Sequence, residues 1–277
     1  MSQPVAIITG ASSGIGLAVT KHLVADGWRV VMADITEESG KAIAAELGDQ
    51  VLFCAIDVSS YPQQADLFKK AFSWGGDRLE LFAANAGIAD TQFLHENDYH
   101  CDEDGTVLPL SLKTMDVNFT AVVQGIWLFK HYARQNKVPG GKVIITSSAA
   151  GLYQMGTNPI YTASKHALIG LTRALGPLFD QQNIQVNAIC PAFVLTGLCP
   201  KDIRDRFPKE HVTPMSTIIK AYETFINDDS LSGQTVEVSL NQLYFRTQPD
   251  YPNESQRWLA EDSTSFWEEA YKEPVQS

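Results

Sequence analysis

The chain has 277 residues, of which 44% are hydrophobic, and a formal net charge of −11. This length suits one α/β domain, and the hydrophobic fraction is enough for a full core. The negative charge argues against nucleic acid and anionic membrane as partners, because both require basic patches. No apolar run is long enough to span a membrane, and no basic segment precedes the first apolar run, so neither a membrane span nor a secretory signal is predicted.

The four cysteines are too scattered for a metal-binding motif. Cys54, Cys101, Cys190 and Cys199 show no Cys-x-x-Cys spacing, and no histidine cluster accompanies them. We therefore predict no metal site. Free thiols in a reducing cytosol are the expected state, which favours a cytoplasmic location.

The chain begins with a pattern typical of a phosphate-binding turn. Residues 5–9 form an apolar run, residues 17–25 have helical spacing, and a glycine-rich turn joins them. Such a turn aims backbone N–H groups and the positive helix end at a phosphate. The spacing Gly-x-x-x-Gly-x-Gly differs from the standard fingerprint, so a purely structural turn is the alternative. The candidate cofactor contacts in this turn are Gly10, Ser12, Ser13, Gly14, Ile15 and Gly16.

The second predicted strand, residues 29–34, ends on a carboxylate. Asp34 at that position would accept hydrogen bonds from ribose hydroxyls and repel a 2′-phosphate. The glycine turn has no Arg or Lys, and Ile35 follows the Asp, so the sequence predicts NAD over NADP. A third strand, residues 51–57, would place Asp57 and Val58 near the adenine. Helices are predicted at 37–47 and 61–72.

The middle of the chain supplies a second small-residue turn and a long acidic stretch. A fourth strand, residues 79–84, is followed by Asn85, Ala86 and Gly87, where backbone could approach a cofactor. Residues 88–113 are predicted to be an exposed insertion, or alternatively a cover for the site. The apolar helix predicted at 114–135 contains Asn118, which by itself indicates a satisfied core amide.

The fifth strand, residues 142–146, leads directly to Ser147 and Ser148, and a tyrosine and a lysine follow four residues apart. On a helix, Tyr161 and Lys165 share a face. A neighbouring cation lowers the pKa of a phenol, which suits it to general acid/base work. A serine hydroxyl at the strand end could hold the reacting oxygen. Tyr-x-x-x-Lys alone is a weak signal, and an ordinary surface pair is the alternative.

Together these motifs resemble the short-chain dehydrogenase/reductase family. The matching segments are residues 9–16, 85–87, Asn118, Ser148 and residues 161–165, in the family's order and across about residues 4–240. The resemblance implies a single α/β Rossmann domain, a doubly wound parallel sheet of about seven strands with helices on both faces. We place this domain at 1–245, with a substrate lid at 198–215 and a C-terminal extension at 246–277.

The resemblance also implies a role for each motif residue. Tyr161 would be the general acid/base, and Lys165 would bind the nicotinamide ribose and lower the pKa of Tyr161. Ser148 would orient the substrate oxygen, and Asn118 would hold a water in a proton relay. The segment after the sixth strand would lie over the nicotinamide, through Pro191, Val194 and Thr196.

Within the family the pattern is most similar to 15-hydroxyprostaglandin dehydrogenase-like members. Asn158 stands where the prostaglandin enzyme has a substrate-contacting Gln, so prostaglandin itself is a poor match. Tyr153 and Asn158 join Ser148 and Tyr161 as candidate substrate contacts. Family members are usually homodimers or homotetramers, paired through helices corresponding to 114–135 and 161–179.

Three further features depart from the family pattern. Ala84 and Ala192 replace a common Asn and a common Gly, and Gly176-Pro177 should end or bend the long catalytic helix early.

The lid and its surroundings contain several apolar residues, which favours a lipophilic substrate. The tail at 246–277 is rich in aromatic residues, which is typical of a docking or subunit-interface segment; closure over the pocket is the alternative.

The sequence therefore predicts an NAD-dependent alcohol dehydrogenase. It would interconvert a secondary alcohol and a ketone on a lipophilic small molecule, for example a polyketide of specialised metabolism. In the oxidative direction Tyr161 would take the alcohol proton while a hydride leaves the carbon. One alternative is a non-catalytic NAD-binding or sensing protein. Another is the same scaffold recruited for cyclisation or dehydration, since fold alone does not separate these functions.

Overall fold

A central eight-stranded sheet organises the main part of the chain. The structure, a computed structural model, describes residues 3–94 and 99–270. The strand order is β3-β2-β1-β4-β5-β6-β7-β8; all neighbours pair in parallel except β7 and β8, which pair antiparallel. The strands are β1 (Val5–Thr9), β2 (Arg29–Asp34), β3 (Val51–Ala55), β4 (Leu81–Ala84), β5 (Gly141–Thr146), β6 (Ile184–Pro191), β7 (Thr235–Ser239) and β8 (Gln242–Phe245).

The helices follow the strands in alternation, as expected for a parallel sheet joined by crossover connections. They are α1 (Gly14–Ala25), α2 (Glu37–Leu47), α3 (Tyr61–Trp74), α4 (Lys113–Met115), α5 (Ala121–Ala133), α6 (Pro159–Asp180), α7 (Lys201–Arg206), α8 (Met215–Asn227), α9 (Glu254–Glu261) and α10 (Thr264–Ala270). A π-helical segment, Asp116–Thr120, joins α4 to α5. Short 3₁₀ turns occur at Ala149–Gly151 and Lys209–His211.

The core has two layers, one on each face of the sheet. Residues of α3, α5 and α6 pack on one face, and residues of α1 and α8 pack on the other. Every residue of β1, β4 and β6 is buried, because helices cover both faces of a parallel sheet. The predicted doubly wound α/β fold is confirmed.

The strand order reverses at β1, which pairs with β2 on one side and β4 on the other. At such a switch point the crossover helices leave on opposite faces and open a crevice at the carboxyl ends of the strands. The glycine turn after β1 and the Asn85 turn after β4 both lie at this edge. The fold therefore brings together two turns that are far apart in sequence.

Two elements differ from the sequence prediction. The sheet has eight strands rather than about seven, because the four residues of β8 add to the edge of β7. Helix α6 does not end at Gly176-Pro177 but continues to Asp180. Gly176 packs directly against the backbone of Gly233, and its carbonyl accepts a hydrogen bond from Ser232 Oγ at 3.0 Å. These tertiary contacts stabilise the helix across the proline, which propensity alone does not include.

The predicted acidic insertion is only partly exposed. Residues 99–109 are exposed and contain a single β-bridge between Cys101 and Val107. Asp90, near the start of the insertion, is instead buried. Residues 95–98 of the predicted insertion lie outside the described residues. The prediction of an exposed insertion is therefore wrong at Asp90, whose carboxylate caps a helix as described below.

The chain divides into two compact units, Met1–Arg246 and Thr247–Ser277. The second unit contains α9 and α10. Its α9 begins at Asn253, whose side chain accepts a hydrogen bond from Gln256 N at 2.9 Å. Trp258 packs edge-to-face on Phe266, and both rings are largely exposed. Residues 271–277 lie outside the described residues.

Among residues 3–94 and 99–270, no helix combines the length and the apolar character that a membrane crossing requires.

Candidate active site

The glycine turn between β1 and α1 has a backbone that side chains would disrupt. Gly10 and Gly14 have φ angles of +65° and +52°, in the left-handed region that favours glycine. A Cβ on Gly16 would overlap the carbonyl oxygen of Gly10. The turn is therefore a tight cradle, and the N-terminal N–H groups of α1 open into it.

Two serines of this turn have hydroxyls free of capping bonds. Ser12 Oγ is buried and has no protein hydrogen-bond partner among the described residues. Ser13 is the N-cap residue of α1, yet its side chain makes no capping hydrogen bond. A buried hydroxyl without a partner is costly, so a polar ligand in the cradle would complete it. These features fit a bound dinucleotide phosphate.

Asp34 ends β2 beside the cradle. Its Oδ2 accepts a hydrogen bond from Ser12 N at 2.9 Å, and its Oδ1 accepts one from Thr36 N at 2.9 Å. Each oxygen keeps a further lone pair for ribose hydroxyls. Ile35 next to it is 68% exposed and adds no positive charge that could receive a 2′-phosphate.

Asp57, at the following strand end, is more strongly engaged by its own loop. Its Oδ1 accepts hydrogen bonds from Ser59 N at 2.9 Å and Ser59 Oγ at 2.7 Å. These bonds lower the pKa of Asp57. The carbonyl of Val58 accepts Gln64 Nε2 at 2.6 Å. The predicted adenine contacts of Asp57 and Val58 stay predictions.

Asn85 clamps three strand ends together. Its Nδ2 donates to the carbonyl of Thr9 at 3.0 Å, and its Oδ1 accepts from Thr146 Oγ1 at 3.2 Å. Thr9 Oγ1 in turn accepts the backbone N–H groups of Asn85 and Ala86, both at 3.0 Å. Sequence reasoning missed Thr9 and Thr146, although both are hydroxyl residues at the carboxyl end of a buried strand.

Lys165 is buried on α6, with an exposed fraction of 3%. Its Nζ donates to the carbonyl of Thr146 at 2.8 Å. Burial lowers its pKa to about 8, because desolvation penalises the ammonium. The predicted surface-pair alternative for Lys165 and Tyr161 is therefore wrong, since both residues are buried.

Tyr161 lies one helical turn before Lys165, and the Lys165 Nζ is 5.5 Å from the centre of its ring. Burial raises the pKa of Tyr161, while its hydrogen bond with Ser148 acts in the opposite direction. The expectation that Lys165 lowers this pKa is not met. Desolvation dominates, and the ammonium is directed at Thr146 rather than at the phenol.

Ser147 and Ser148 follow β5 in sequence but have different roles. Ser147 Oγ donates to the carbonyl of Lys165 at 2.9 Å and is buried. Ser148 is half-buried; its Oγ accepts from Ala150 N at 3.1 Å, which caps the 3₁₀ turn, and it also interacts with Tyr161. Ser148 is thus the hydroxyl that reaches the reactive phenol.

Asn118 occupies the π-helical segment before α5 and is fully buried. Its Oδ1 accepts from Ile88 N at 2.8 Å, and its Nδ2 donates to the Ile88 carbonyl at 2.9 Å and to Ser164 Oγ at 3.1 Å. The amide therefore fixes the residue after Gly87 to the catalytic helix. Its role in a proton relay stays a prediction.

Asp90 caps the start of α6, and sequence reasoning missed it. Its two carboxylate oxygens accept backbone hydrogen bonds from Ile160 N at 3.0 Å and Tyr161 N at 2.7 Å. A carboxylate at a helix N-terminus satisfies free N–H groups and interacts well with the helix dipole. The cap comes from 70 residues away in sequence, so no local pattern indicated it.

The segment after β6 lies against the glycine turn, and its contact with a nicotinamide stays a prediction. A Cβ on Gly14 would be 3.2 Å from the side chain of Thr196. Val194 is 9% exposed, and Pro191 is the last residue of β6. Phe193 stacks on Phe207, with ring centres 3.5 Å apart. This stacking connects the predicted lid, residues 198–215, to the segment that faces the cradle.

The candidate substrate contacts show different environments. The Tyr153 hydroxyl donates to Glu237 Oε2 at 2.9 Å, and Asn158 Nδ2 donates to Thr157 Oγ1 at 3.2 Å. Several large apolar side chains of the two flanking segments are exposed: Met155, Leu195, Leu198 and Ile203. We call these exposed side chains, on the segments that follow β5 and β6, the apolar rim, and such side chains suit a lipophilic ligand.

A comparison with protein families identifies the family of this chain. The short chain dehydrogenase family model matches residues 4–206. This chain belongs to the short-chain dehydrogenase/reductase family. It is an oxidoreductase of that family, whose members use a nicotinamide cofactor.

Several relatives resemble the chain over most of its length. It is 32% identical to the short-chain dehydrogenase/reductase prx6 of Penicillium rubens, over 97% of this chain and 93% of that protein. It is 31% identical to human 15-hydroxyprostaglandin dehydrogenase [NAD(+)], over 85% and 90%. It is 30% identical to the short-chain dehydrogenase/reductase ascJ of Acremonium egyptiacum, over 86% and 79%.

A solved structure has the same fold. The 3-ketoacyl-(acyl-carrier-protein) reductase from Brucella melitensis, complexed with NADH, gives a TM-score of 0.73 at 22% identity. The match covers 85% of this chain and 96% of that one. At this identity the likeness supports the Rossmann-type fold alone.

Proposed function

We propose that this protein is an NAD-dependent dehydrogenase that interconverts a secondary alcohol and a ketone on a lipophilic small molecule. The observation that carries the proposal is the convergence of Tyr161, Lys165 and Ser148 beside the glycine cradle. A buried phenol, a buried amine and a hydroxyl at one strand end have few structural uses, because burying ionisable groups destabilises the fold. They suit proton transfer to and from a substrate oxygen.

The choice of NAD rests on Asp34. Its carboxylate stands beside the cradle, and its free lone pairs would bind the two ribose hydroxyls. A 2′-phosphate would meet this negative charge without a cationic partner in the turn. Human 15-hydroxyprostaglandin dehydrogenase [NAD(+)] is named for the same cofactor.

In the proposed mechanism the side chains handle a single proton. A nicotinamide cofactor with its phosphates in the cradle would supply the hydride acceptor. Ser148 donates a hydrogen bond to the substrate oxygen and orients it. Tyr161 removes the hydroxyl proton in oxidation and returns it in reduction. Lys165, whose pKa is lowered to about 8, holds its proton near working pH and would bind the ribose of the cofactor beside Tyr161.

The apolar rim around the site supports a lipophilic substrate. We extend the proposal to specialised, polyketide-type metabolism in a cytoplasmic setting, and the fungal relatives are consistent with this extension. The proposed assembly is a homodimer or homotetramer. Trp127 of α5 is 65% exposed and Leu178 of α6 is 52% exposed, which fits pairing through these two helices.

The test is NADH formation, followed by absorbance, with NAD and a panel of secondary alcohols that includes steroids, hydroxy fatty acids and aromatic polyketides. Turnover should fall at least about 100-fold in Tyr161→Phe, with NADH binding retained. The matched control is Tyr132→Phe, a tyrosine packed against Phe68 and Phe72 in the core, which should keep full turnover.

Three outcomes would each contradict the proposal or a part of it. Turnover that survives in Tyr161→Phe would remove the phenol from the mechanism. Product formed without any change in NADH would point to a cyclase or dehydratase on the same scaffold. A preference for NADP would overturn the interpretation of Asp34.

A further inference from the structure

A buried glutamate lies on β7, a strand with no proposed catalytic residue. Glu237 is in the middle of β7, is 7% exposed, and pairs in register with Cys190 of β6. Its two neighbours in β7 are Val236 and Val238, both essentially fully buried. A carboxylate in such a strand costs stability unless it is paired, and an apolar residue would serve the sheet equally well.

Two partners satisfy Glu237, and they also contact each other. The Tyr153 hydroxyl donates to Glu237 Oε2 at 2.9 Å, and Arg246 Nε donates to the same oxygen at 2.7 Å. Arg246 Nη2 also donates to the Tyr153 hydroxyl oxygen at 3.2 Å. The hydrogen bond to Glu237 raises the pKa of Tyr153, which keeps the phenol protonated as a donor.

Tyr153 belongs to the connection between β5 and α6, residues 148–158, which we call the substrate loop. Ser148 starts this loop at the end of β5, and Tyr153 N donates to the carbonyl of Ala149 at 2.8 Å. The loop is thus held at its start by a 3₁₀ turn and at its midpoint by the Tyr153 side chain. Tyr161 is held separately, because Asp90 caps α6.

We propose that Glu237 is a positioning residue that, through Tyr153 and with Arg246 balancing its charge, holds the substrate loop in its substrate-binding conformation. The substrate part of this proposal rests on the proposed function. Loss of the tether frees the part of the loop that contains Met155 and Asn158, while the cap on α6 keeps Tyr161 in place. The expected effect is a higher KM for substrate with a much smaller change in kcat.

The first experiment compares Glu237→Gln, Tyr153→Phe and the double variant by steady-state kinetics. Each single change should raise the KM for the alcohol about 5- to 30-fold, which is part of the roughly 10- to 150-fold value of a charged hydrogen bond, because the tether acts on the substrate through the loop. NADH affinity should stay within about twofold. Because the residues act through one tether, the double variant should resemble the single variants rather than multiply their effects.

The matched control is Glu80→Gln. Glu80 also pairs with an arginine, Arg78, at 2.5 Å, and its Oε2 accepts Val5 N at 2.7 Å. Glu80 directly precedes β4 and therefore lies at the amino ends of the strands, whereas the site lies at their carboxyl ends. This variant should lose stability without any rise in KM. A KM rise equal to that of Glu237→Gln would reduce the effect to general destabilisation and overturn the proposal.

A second measurement tests the tether between Glu237 and Tyr153 and does not depend on turnover. Hydrogen exchange at the amides of Gly151, Leu152 and Tyr153 reports opening of the substrate loop, because all three are hydrogen-bonded within it. Exchange there should speed up in Glu237→Gln and stay unchanged in Glu80→Gln. Unchanged exchange in Glu237→Gln, faster exchange without a KM change, or multiplying effects in the double variant would each overturn the proposal. Failure of the dehydrogenase function itself would appear separately, as turnover that does not depend on Tyr161.

Discussion

The two halves of the site use different chemical groups, backbone in one and side chains in the other. The half around β1 and β2 is made mainly of backbone, with left-handed glycines, N–H groups at the start of α1 and one carboxylate, Asp34. The half around β5, β6 and β7 is made of buried ionisable side chains held by long-range hydrogen bonds. The first half can bind an anion with little adjustment. In the second half, burial of ionisable groups near the reacting atoms costs folding free energy.

This contrast predicts where substitutions act. In the side-chain half, removing one hydroxyl or one carboxylate should change rates and pH dependence. In the backbone half, substitutions should change the binding and choice of cofactor and leave proton transfer intact.

The largest expected effect comes from Ser148→Ala. We expect kcat to fall about 100- to 1000-fold, the usual cost of losing a hydrogen-bond donor to the reacting oxygen. Ser147→Ala is the matched control one residue earlier, because its hydroxyl donates to the carbonyl of Lys165 and interacts with Cys190. It should cost about 1 kcal/mol of stability and change kcat little. Equal loss of kcat in both variants would contradict the assignment.

The next largest effect is expected from Lys165→Met, and it concerns the free energy of unfolding rather than the reaction rate. Below pH 8 the folded chain bears the full cost of a buried ammonium, because the pKa of Lys165 is lowered from 10.5 to about 8. Removing the charge should raise the free energy of unfolding by about 1–3 kcal/mol there. Between pH 8 and 10.5 the unfolded state binds more protons than the folded one, so the wild type gains stability and the advantage of the variant shrinks.

Urea unfolding across pH 7–10 measures this difference. Lys41→Met, at an exposed lysine paired with Glu37, is the control and should show no such pH-dependent gain. An advantage of Lys165→Met that grows with pH would have the wrong sign and would contradict the buried-ammonium account.

Asp34→Ser tests the backbone half. Replacing the carboxylate should lower kcat/KM for NAD about 10- to 100-fold, the value of hydrogen bonds to a charged group, and should raise relative use of NADP. Glu37→Gln is the matched control, because that nearby carboxylate is already paired with Lys41 at 2.6 Å. The measurement is the ratio of kcat/KM for NAD to kcat/KM for NADP. An unaltered ratio in Asp34→Ser would refute the role of Asp34 in cofactor choice.

The smallest effect is expected from Asp90→Asn. An amide has one acceptor oxygen, so one of the two capping bonds to α6 is lost, at a cost of about 1 kcal/mol. We expect a lower midpoint in urea and a kcat reduced a few-fold. Gly170→Ala in the same helix meets no atom within 4 Å and should stabilise by about 0.5–1 kcal/mol without altering kcat. If kcat falls in the destabilised variant and rises in the stabilised one, the change in kcat reflects stability alone. That outcome would contradict a specific role for the Asp90 cap.

The same contrast explains what could be predicted from the sequence. The glycine turn, Asp34, Ser148, Tyr161 and Lys165 are local patterns in which spacing and chemistry coincide. Asp90 and Glu237 act across about 70 and 84 residues respectively, and no periodicity indicates such pairs. Their only sequence signal is a charge next to or within an apolar run.

The errors have equally physical causes. Pro177 was expected to end or bend α6, but packing of Gly176 on Gly233 supports the helix beyond it. The β8 strand was missed because its four residues are mostly exposed and lack a buried alternation. The neighbouring charge of Lys165 is expected to lower the pKa of Tyr161, but burial raises it, and the opposing contribution comes from the hydrogen bond with Ser148.

The end of the first unit at Arg246 has a consequence for where the chain could be shortened. Arg246 N donates to the carbonyl of Thr235 at 2.8 Å, and its own carbonyl accepts a hydrogen bond from Thr235 Oγ1 at 2.7 Å. The backbone is therefore anchored to β7 at the residue where the first unit ends. A truncated chain that ends after Arg246 would keep both of these hydrogen bonds. One that ends before Arg246 would lose them, together with one partner of Glu237.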